Sequence, residues 1–218
     1  MRTPIILTTL LVLAVATQAG CAGRPFYSAQ PIHGRVVDAA TGQPLDGVIV
    51  VAQWILDVIA DGGQPRLQVL ETVTDAAGAY HFPGWGPKVN SRFPFAELDL
   101  AAPRLCFFTP GYTPLSVANI FSSSDAVRVS EWDGKTIPLE RFTGPDDEWI
   151  MSVLSLQSRL SWGGRMDWRL LPRMTLALEL ERLRLENTPS ARRGVNISGI
   201  LGLGITMDEL RRFLEAQK

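Results

Sequence analysis

The stretch P-I-H-G-R-V-V-D-A-A-T-G-Q-P-L-D-G-V-I-V-V (31–51), answered by T-V-T-D-A-A-G-A-Y-H-F (72–82), decides the fold. Apolar residues recur at every second position between breaks made of Gly, Pro, Asp and Thr. That period places alternate side chains on opposite faces of an extended chain, so the spacing predicts half-buried antiparallel strands. Ile32, Gly34 and Val36 share one parity and are assigned to the core, with His33, Arg35 and Val37 facing away. Asp38 to Pro44 reads as a turn: Asp38 and Thr41 can bond their own backbone, Gly42 can take positive φ, and Pro44 ends the ladder. In the next strand Val48, Val50, Ala52 and Trp54 fall on one face. Asp61-Gly62-Gly63-Gln64 is a hairpin signal returning the chain through Leu67 to Thr74, and Asp75 to Gly78 is a second turn before Ala79 to Phe82.

These residues carry a family resemblance. Ile32, Gly34, Val36, Asp38, Thr41, Gly42, Pro44, Leu45, Gly47, Val48 and Val50, then Thr74, Asp75, Gly78, Tyr80 and Phe82, and later Pro110-Gly111-Tyr112 form a pattern. It resembles the carboxypeptidase regulatory-like domain, a small β-sandwich related to transthyretin. The match spans about residues 31–142. The resemblance implies a mainly β, Ig-like or transthyretin-like antiparallel sandwich, and it implies no activity, because such modules are appended to many proteins. Transthyretin-like hydrolases need a histidine where Arg35 stands and a terminal Tyr-Arg-Gly-Ser that this chain lacks. The zinc-bearing catalytic unit of carboxypeptidases is absent from the sequence as well.

At the N-terminus Met1-Arg2-Thr3-Pro4 supplies one positive charge and Ile5 to Ala16 an apolar run. About 20 apolar residues are needed to cross a bilayer, so this shorter run suits the central region of a signal peptide over 1–20. Ala19-Gly20-Cys21 resembles the lipobox of bacterial lipoproteins, with Gln18 standing where such boxes carry a leucine-like residue. The expectation is lipidation at Cys21 through acyl chains such as palmitate, then a tether over 21–30, with ordinary cleavage beside Ala19 or Ala22 as the alternative. Ala22 after the cysteine points to the outer membrane, facing the periplasm; without lipid the protein would be periplasmic or secreted.

Composition narrows the partners. Of 218 residues 46% are hydrophobic and the net charge is −1. Removing residues 1–20 takes away Arg2 alone, leaving 20 basic side chains against 22 acidic ones. No basic face for nucleic acid is expected, and lipid rather than charge would hold the chain at a membrane. The arginines at 182, 184, 192 and 193 read as a solvated helix face. With two cysteines in unlike contexts, no disulfide is expected; Cys106 alternates with Leu105 and Phe107 and reads as a packed thiol.

Between Pro83 and Pro103 the chain reads as an irregular insertion. Trp85, Phe93 and Phe95 there are the candidate ligand-binding residues, for a peptide or glycan; the competing reading tucks them over the end of the sandwich. Arg104 to Thr109, Leu115 to Ala118 and Gly134 to Phe142 are predicted strands. After Phe142 the period changes to helical. Residues 146–160 and 173–186 are predicted helices, and the capping box Thr206 to Glu209 opens a third. Gly199 to Gly204 is not a dinucleotide fingerprint and reads as an apolar loop. This extension, 143–218, is apolar on one side and must pack on the sandwich, on a partner or on a membrane.

Chemistry is sparse. The two histidines, His33 and His81, both lie on the outward parity, and sharing a metal would require a third ligand and an adjacency that sequence alone does not supply. No catalytic motif appears. No cofactor and no metal are therefore expected. The chain reads as a non-enzymatic, lipid-anchored envelope protein, its sandwich a recognition or scaffolding module and its helical tail the docking element for an envelope protein.

Overall fold

The computed structural model describes residues 23–58, 64–121, 123–161, 167–186, 188 and 206–216. Residues 1–20, read from sequence as a signal peptide, Cys21, residues 61–63 of the expected hairpin, Trp162 to Gly164, Arg192, Arg193 and the expected loop at 199–204 lie outside them. The fold is a mainly β, Ig-like sandwich with a helical C-terminal extension. Its centre is β3 (Ile49–Val58), which pairs antiparallel with β4 (Arg66–Val73), with β7 (Ala96–Leu98) and with β8 (Arg104–Phe108). β9 (Leu115–Ala118) continues the sheet beyond β8 and ends it.

The facing layer holds two smaller sheets. In one, β2 (Ile32–Asp38) lies between β5 (Ala79–Phe82) and β11 (Lys135–Leu139); in the other, β1 (Phe26–Ala29) lies between β6 (Trp85–Val89) and β10 (Val127–Arg128). The pairings β2–β11 and β1–β10 are parallel, so the otherwise antiparallel sandwich is locally mixed. Residues 26–29, assigned from sequence to the tether, thus belong to a sheet: Tyr27 is buried and its hydroxyl accepts from the Leu98 amide at 3.2 Å. The interval 83–103 is likewise not irregular, since it carries β6 and β7.

The alternating parity holds in three dimensions. Ile32 and Val36 meet Val48, Val50, Ala52 and Trp54 in one core, with Leu105, Phe107 and Ile137. The glycine of I-x-G-x-V has a packing reason. Gly34 lies opposite Tyr80 across the strands, and a Cβ there would come within 2.4 Å of the Tyr80 hydroxyl oxygen. The absent side chain is the space in which the ring lies.

β3 departs from a half-buried strand because Ile49 to Leu56 are buried without a break. Its second face, with Ile49 and Val51, joins Val69, Cys106 and Phe108 in a second core. The partners there are α1 (Asp146–Ser161) and α2 (Pro172–Leu185), through Trp149, Ile150, Val153, Leu156, Met174 and Leu178. Polar groups of the sheet finish the helix ends. Glu71 of β4 accepts from the amides of Arg173 and Met174 at 3.0 and 2.8 Å, at the N-terminus of α2, where Leu171 offers no side-chain cap. The carbonyl of Leu160 at the end of α1 accepts from Gln53 of β3, at 3.2 Å, and from Arg66 of β4. Trp149 ties the helices by donating to Glu181 at 2.8 Å.

The apolar sides of α1 and α2 are therefore spent on the sandwich, and a docking tail made of those sides is corrected to a structural third layer. α3 (Met207–Glu215) begins with the complete capping box of Thr206 and Glu209, and Phe213 meets Trp168 edge-on at 5.1 Å. Arg182 pairs with Glu179 and Glu186, and Arg184 with Glu181 and Asp146; Glu181 is buried and Arg182 only partly exposed, so the pairs form a half-buried network and not the solvated face expected from sequence.

Candidate functional site: a groove beside the last strand

The polar residues of the quoted motif are occupied in holding turns. Asp38 is buried; its Oδ1 accepts from the amides of Ala40 and Thr41, both at 3.0 Å, and its Oδ2 from the Tyr112 hydroxyl and Arg141 Nε, both at 2.8 Å. The Tyr112 hydroxyl above all, then the two amides and Arg141, hold the carboxyl down at about 2 against the opposing effect of burial. Thr74 Oγ1 donates to the Leu45 carbonyl at 2.7 Å and accepts from the Val48 amide at 2.9 Å. Asp75 closes its own turn through the amides of Ala77 and Ala79, each at 2.9 Å. Asp38 and Thr74 are thus fully engaged in the turns, and Asp75 commits one carboxylate oxygen to its own.

The candidate aromatics are divided. Trp85 is half-buried, packs against the first core and meets Trp54 edge-on at 5.2 Å, so its ring serves the sandwich. Phe93 and Phe95 are 46% and 65% exposed on the turn that follows β6. Trp85 lies at the start of β6 and that turn beyond its end, four strand residues and about 13 Å further on at roughly 3.3 Å per residue.

His33 and His81 face each other across β2 and β5, with ring centroids 4.5 Å apart and stacked. The amide of His33 donates to Asp133 and its carbonyl accepts from Gly134, so toward β5 it forms the closer, non-hydrogen-bonded type of pair. Asp133 Oδ1 lies 3.4 Å from His33 Nδ1 on an exposed surface. Among the described residues no three His, Cys, Asp or Glu side chains form a group able to hold a metal ion.

A concavity lies elsewhere. α1 crosses the outer face of the large sheet, and its buried residues Trp149, Ile150, Val153, Leu156 and Leu160 follow the helical period onto that face. The adjacent stripe, Ser152, Ser155 and Arg159, overhangs β9. Between the stripe and Thr113 to Ser116 runs a groove of about 430 Å³, with Met151 and Leu156 adding apolar wall. Ser116 and Arg159 also line an adjoining cavity of about 90 Å³, whose other walls include Gln53, Arg104 and Cys106.

Three properties define what this site can do. Among the described residues no carboxylate and no histidine line either space, so those residues bring no acid–base pair to it. The Cys106 thiol, 3.3 Å from Ser116 Oγ, has its pKa pushed up by burial, the reverse of what a nucleophilic thiolate needs. Gln53 is 1% exposed and its Oε1 has no partner among the described residues, an acceptor at the wall of the inner cavity. The site is a binding geometry. Nothing in the sequence pointed to it, because Gln53, Ser116 and Arg159 stand far apart in the chain and belong to no motif.

No family model matches the chain, and neither does any curated protein. Solved structures with some similarity include a streptococcal ancillary pilin (13% identity over 55% of this chain and 30% of the pilin, TM-score 0.29). The C-terminal domain of the shaft pilin SpaA from Lactobacillus rhamnosus GG matches at 11% identity over 55% of this chain and all of that domain, with TM-score 0.27. The plantain pollen allergen Pla l 1 matches at 12% over 55% of this chain and 97% of its own, with TM-score 0.24. The chain spans about a third of the ancillary pilin. Scores this low carry no functional meaning. Among the described residues no helix is long and apolar enough to cross a membrane.

Proposed function

We propose that this protein is a non-catalytic recognition module of the bacterial cell envelope, of the carboxypeptidase regulatory-like kind, held at the outer membrane by lipid on Cys21. The β9/α1 groove is its binding face. The observation that carries this reading is a concavity bounded by the terminal strand of the sheet and lined, among the described residues, by hydroxyls, a guanidinium and apolar side chains. The motif residues support it indirectly, since each is committed to a turn. Docking passes from the tail's apolar side, which is covered, to the groove that α1 builds with β9. The test is a photo-crosslinking residue placed in cells at Ser155, at Phe95 or, as a control, at the exposed Leu183 of α2. The expected result is a discrete envelope adduct from Ser155 alone. Equal adducts from Leu183, or none from Ser155, would overturn the reading.

A second reading keeps the face at Phe93 and Phe95, because two phenyl rings this exposed on one short turn suit a peptide or glycan contact. An adduct from Phe95 and not from Ser155 would favour it.

A further inference from the structure

We infer that the β9/α1 groove takes an extended peptide segment bearing a carboxylate, which adds to the outer edge of β9 as a further strand and sets its acidic side chain against Arg159. The inference rests on the recognition reading above and names its ligand class.

The sheet edge is the first ground. β9 pairs with β8 on one side and, among the described residues, with no strand on the other. Alternate residues of a strand direct N–H and C=O to opposite edges, so the outer edge of Leu115 to Ala118 is a row of backbone donors and acceptors. The partner seen on that row is the Trp132 indole, which donates to the Ala118 carbonyl at 2.9 Å. Leu115 and Ser116 of this strand line the groove, and an extended peptide is the ligand whose own backbone matches that spacing.

Charge is the second ground. Arg159 is exposed, lines both the groove and the inner cavity, and makes no ion pair with a described carboxylate. A guanidinium there suits a carboxylate through paired N–H donors. The third ground is Gln53 Oε1, buried and unpartnered at the wall of the inner cavity. Alternate side chains of an added strand point to the helix side of the sheet. There one acidic side chain reaches Arg159, and a neighbour of the same parity with an O–H or N–H reaches the cavity wall. Among the described residues no aromatic ring lines either space for a sugar to stack on, which favours the peptide.

The experiment pans a displayed octapeptide library on the full chain purified in detergent, then measures binding of the selected peptides by fluorescence polarisation. Enriched peptides should carry an acid. Arg159→Glu should weaken them at least tenfold, and replacing the acid by lysine should restore binding to that variant. N-methylation at alternate amides should abolish binding, and at the intervening amides leave it intact. Peptides without an acid, indifference to Arg159→Glu or indifference to N-methylation would each overturn the inference, as would no enrichment at all. Cell-wall glycan fragments titrated in parallel separate the two failures. If they perturb the NMR signals of Ser116 and Ser155 where peptides do not, the peptide class fails and the groove remains a recognition face. If neither does, both fail.

Discussion

Asp38 links the first turn of the sandwich to a loop 74 residues further on, through the Tyr112 hydroxyl. The pairing explains why D-A-A-T-G-Q-P and P-G-Y occur together: one supplies a buried carboxylate and the other a donor for it. Its folded pKa of about 2 lies below the usual 3.8, so the carboxylate adds stability in full above pH 3.8, and that contribution is lost as the pH falls to about 2. Thermal melts of the wild type should therefore drop across that window, and those of Asp38→Asn should start lower and fall less. Gly34 gives a second expectation at this scale. Gly34→Val drives a branched side chain into the Tyr80 phenol, whose hydroxyl oxygen lies 2.4 Å from where the Cβ would be, and should cost about 1–3 kcal/mol in urea unfolding. The same geometry desolvates the Tyr80 phenol, whose pKa is pushed up to about 12, chiefly by burial.

The elements divide by how much of their environment their own sequence records. β2, β5 and the inward face of β3 were legible because their alternation is local, α1 from its period, α2 from helix propensity and length although Leu176, Leu178 and Leu180 also alternate, and α3 from its capping box. The second face of β3 was not. Ile49 and Val51 look like ordinary strand residues until α1 and α2, some hundred positions later, are laid over them. β1 escaped notice because four residues among Pro, Gly and Ser carry too little periodicity, and β6 because Gly86 and Pro87 interrupt it. The groove was illegible for a related reason: it exists only where a helix overhangs an edge strand. Two outcomes test the third layer. Glu71→Ala removes the acceptor for the first amides of α2 and should lower stability by about 1 kcal/mol. Ending the chain after Phe142 bares Ile49, Val51, Val69, Cys106 and Phe108, and size-exclusion chromatography should show aggregate instead of monomer.

For the whole molecule, the proposal joins an anchor at one end to a binding groove on the far layer. Intact mass spectrometry of protein extracted from membranes should show a mature chain beginning at Cys21 with acyl groups added, and Cys21→Ser should release the protein from the membrane fraction. A mature terminus at Ala22 or beyond, without added mass, would leave the groove in place and remove the anchor. The double burial of β3 also limits any attempt to reuse this scaffold. A protein engineer who cuts out the strands as a free-standing cassette will carry along a sheet that is greasy front and back, so a transplant has to include the helical cover or replace it residue by residue with polar substitutes.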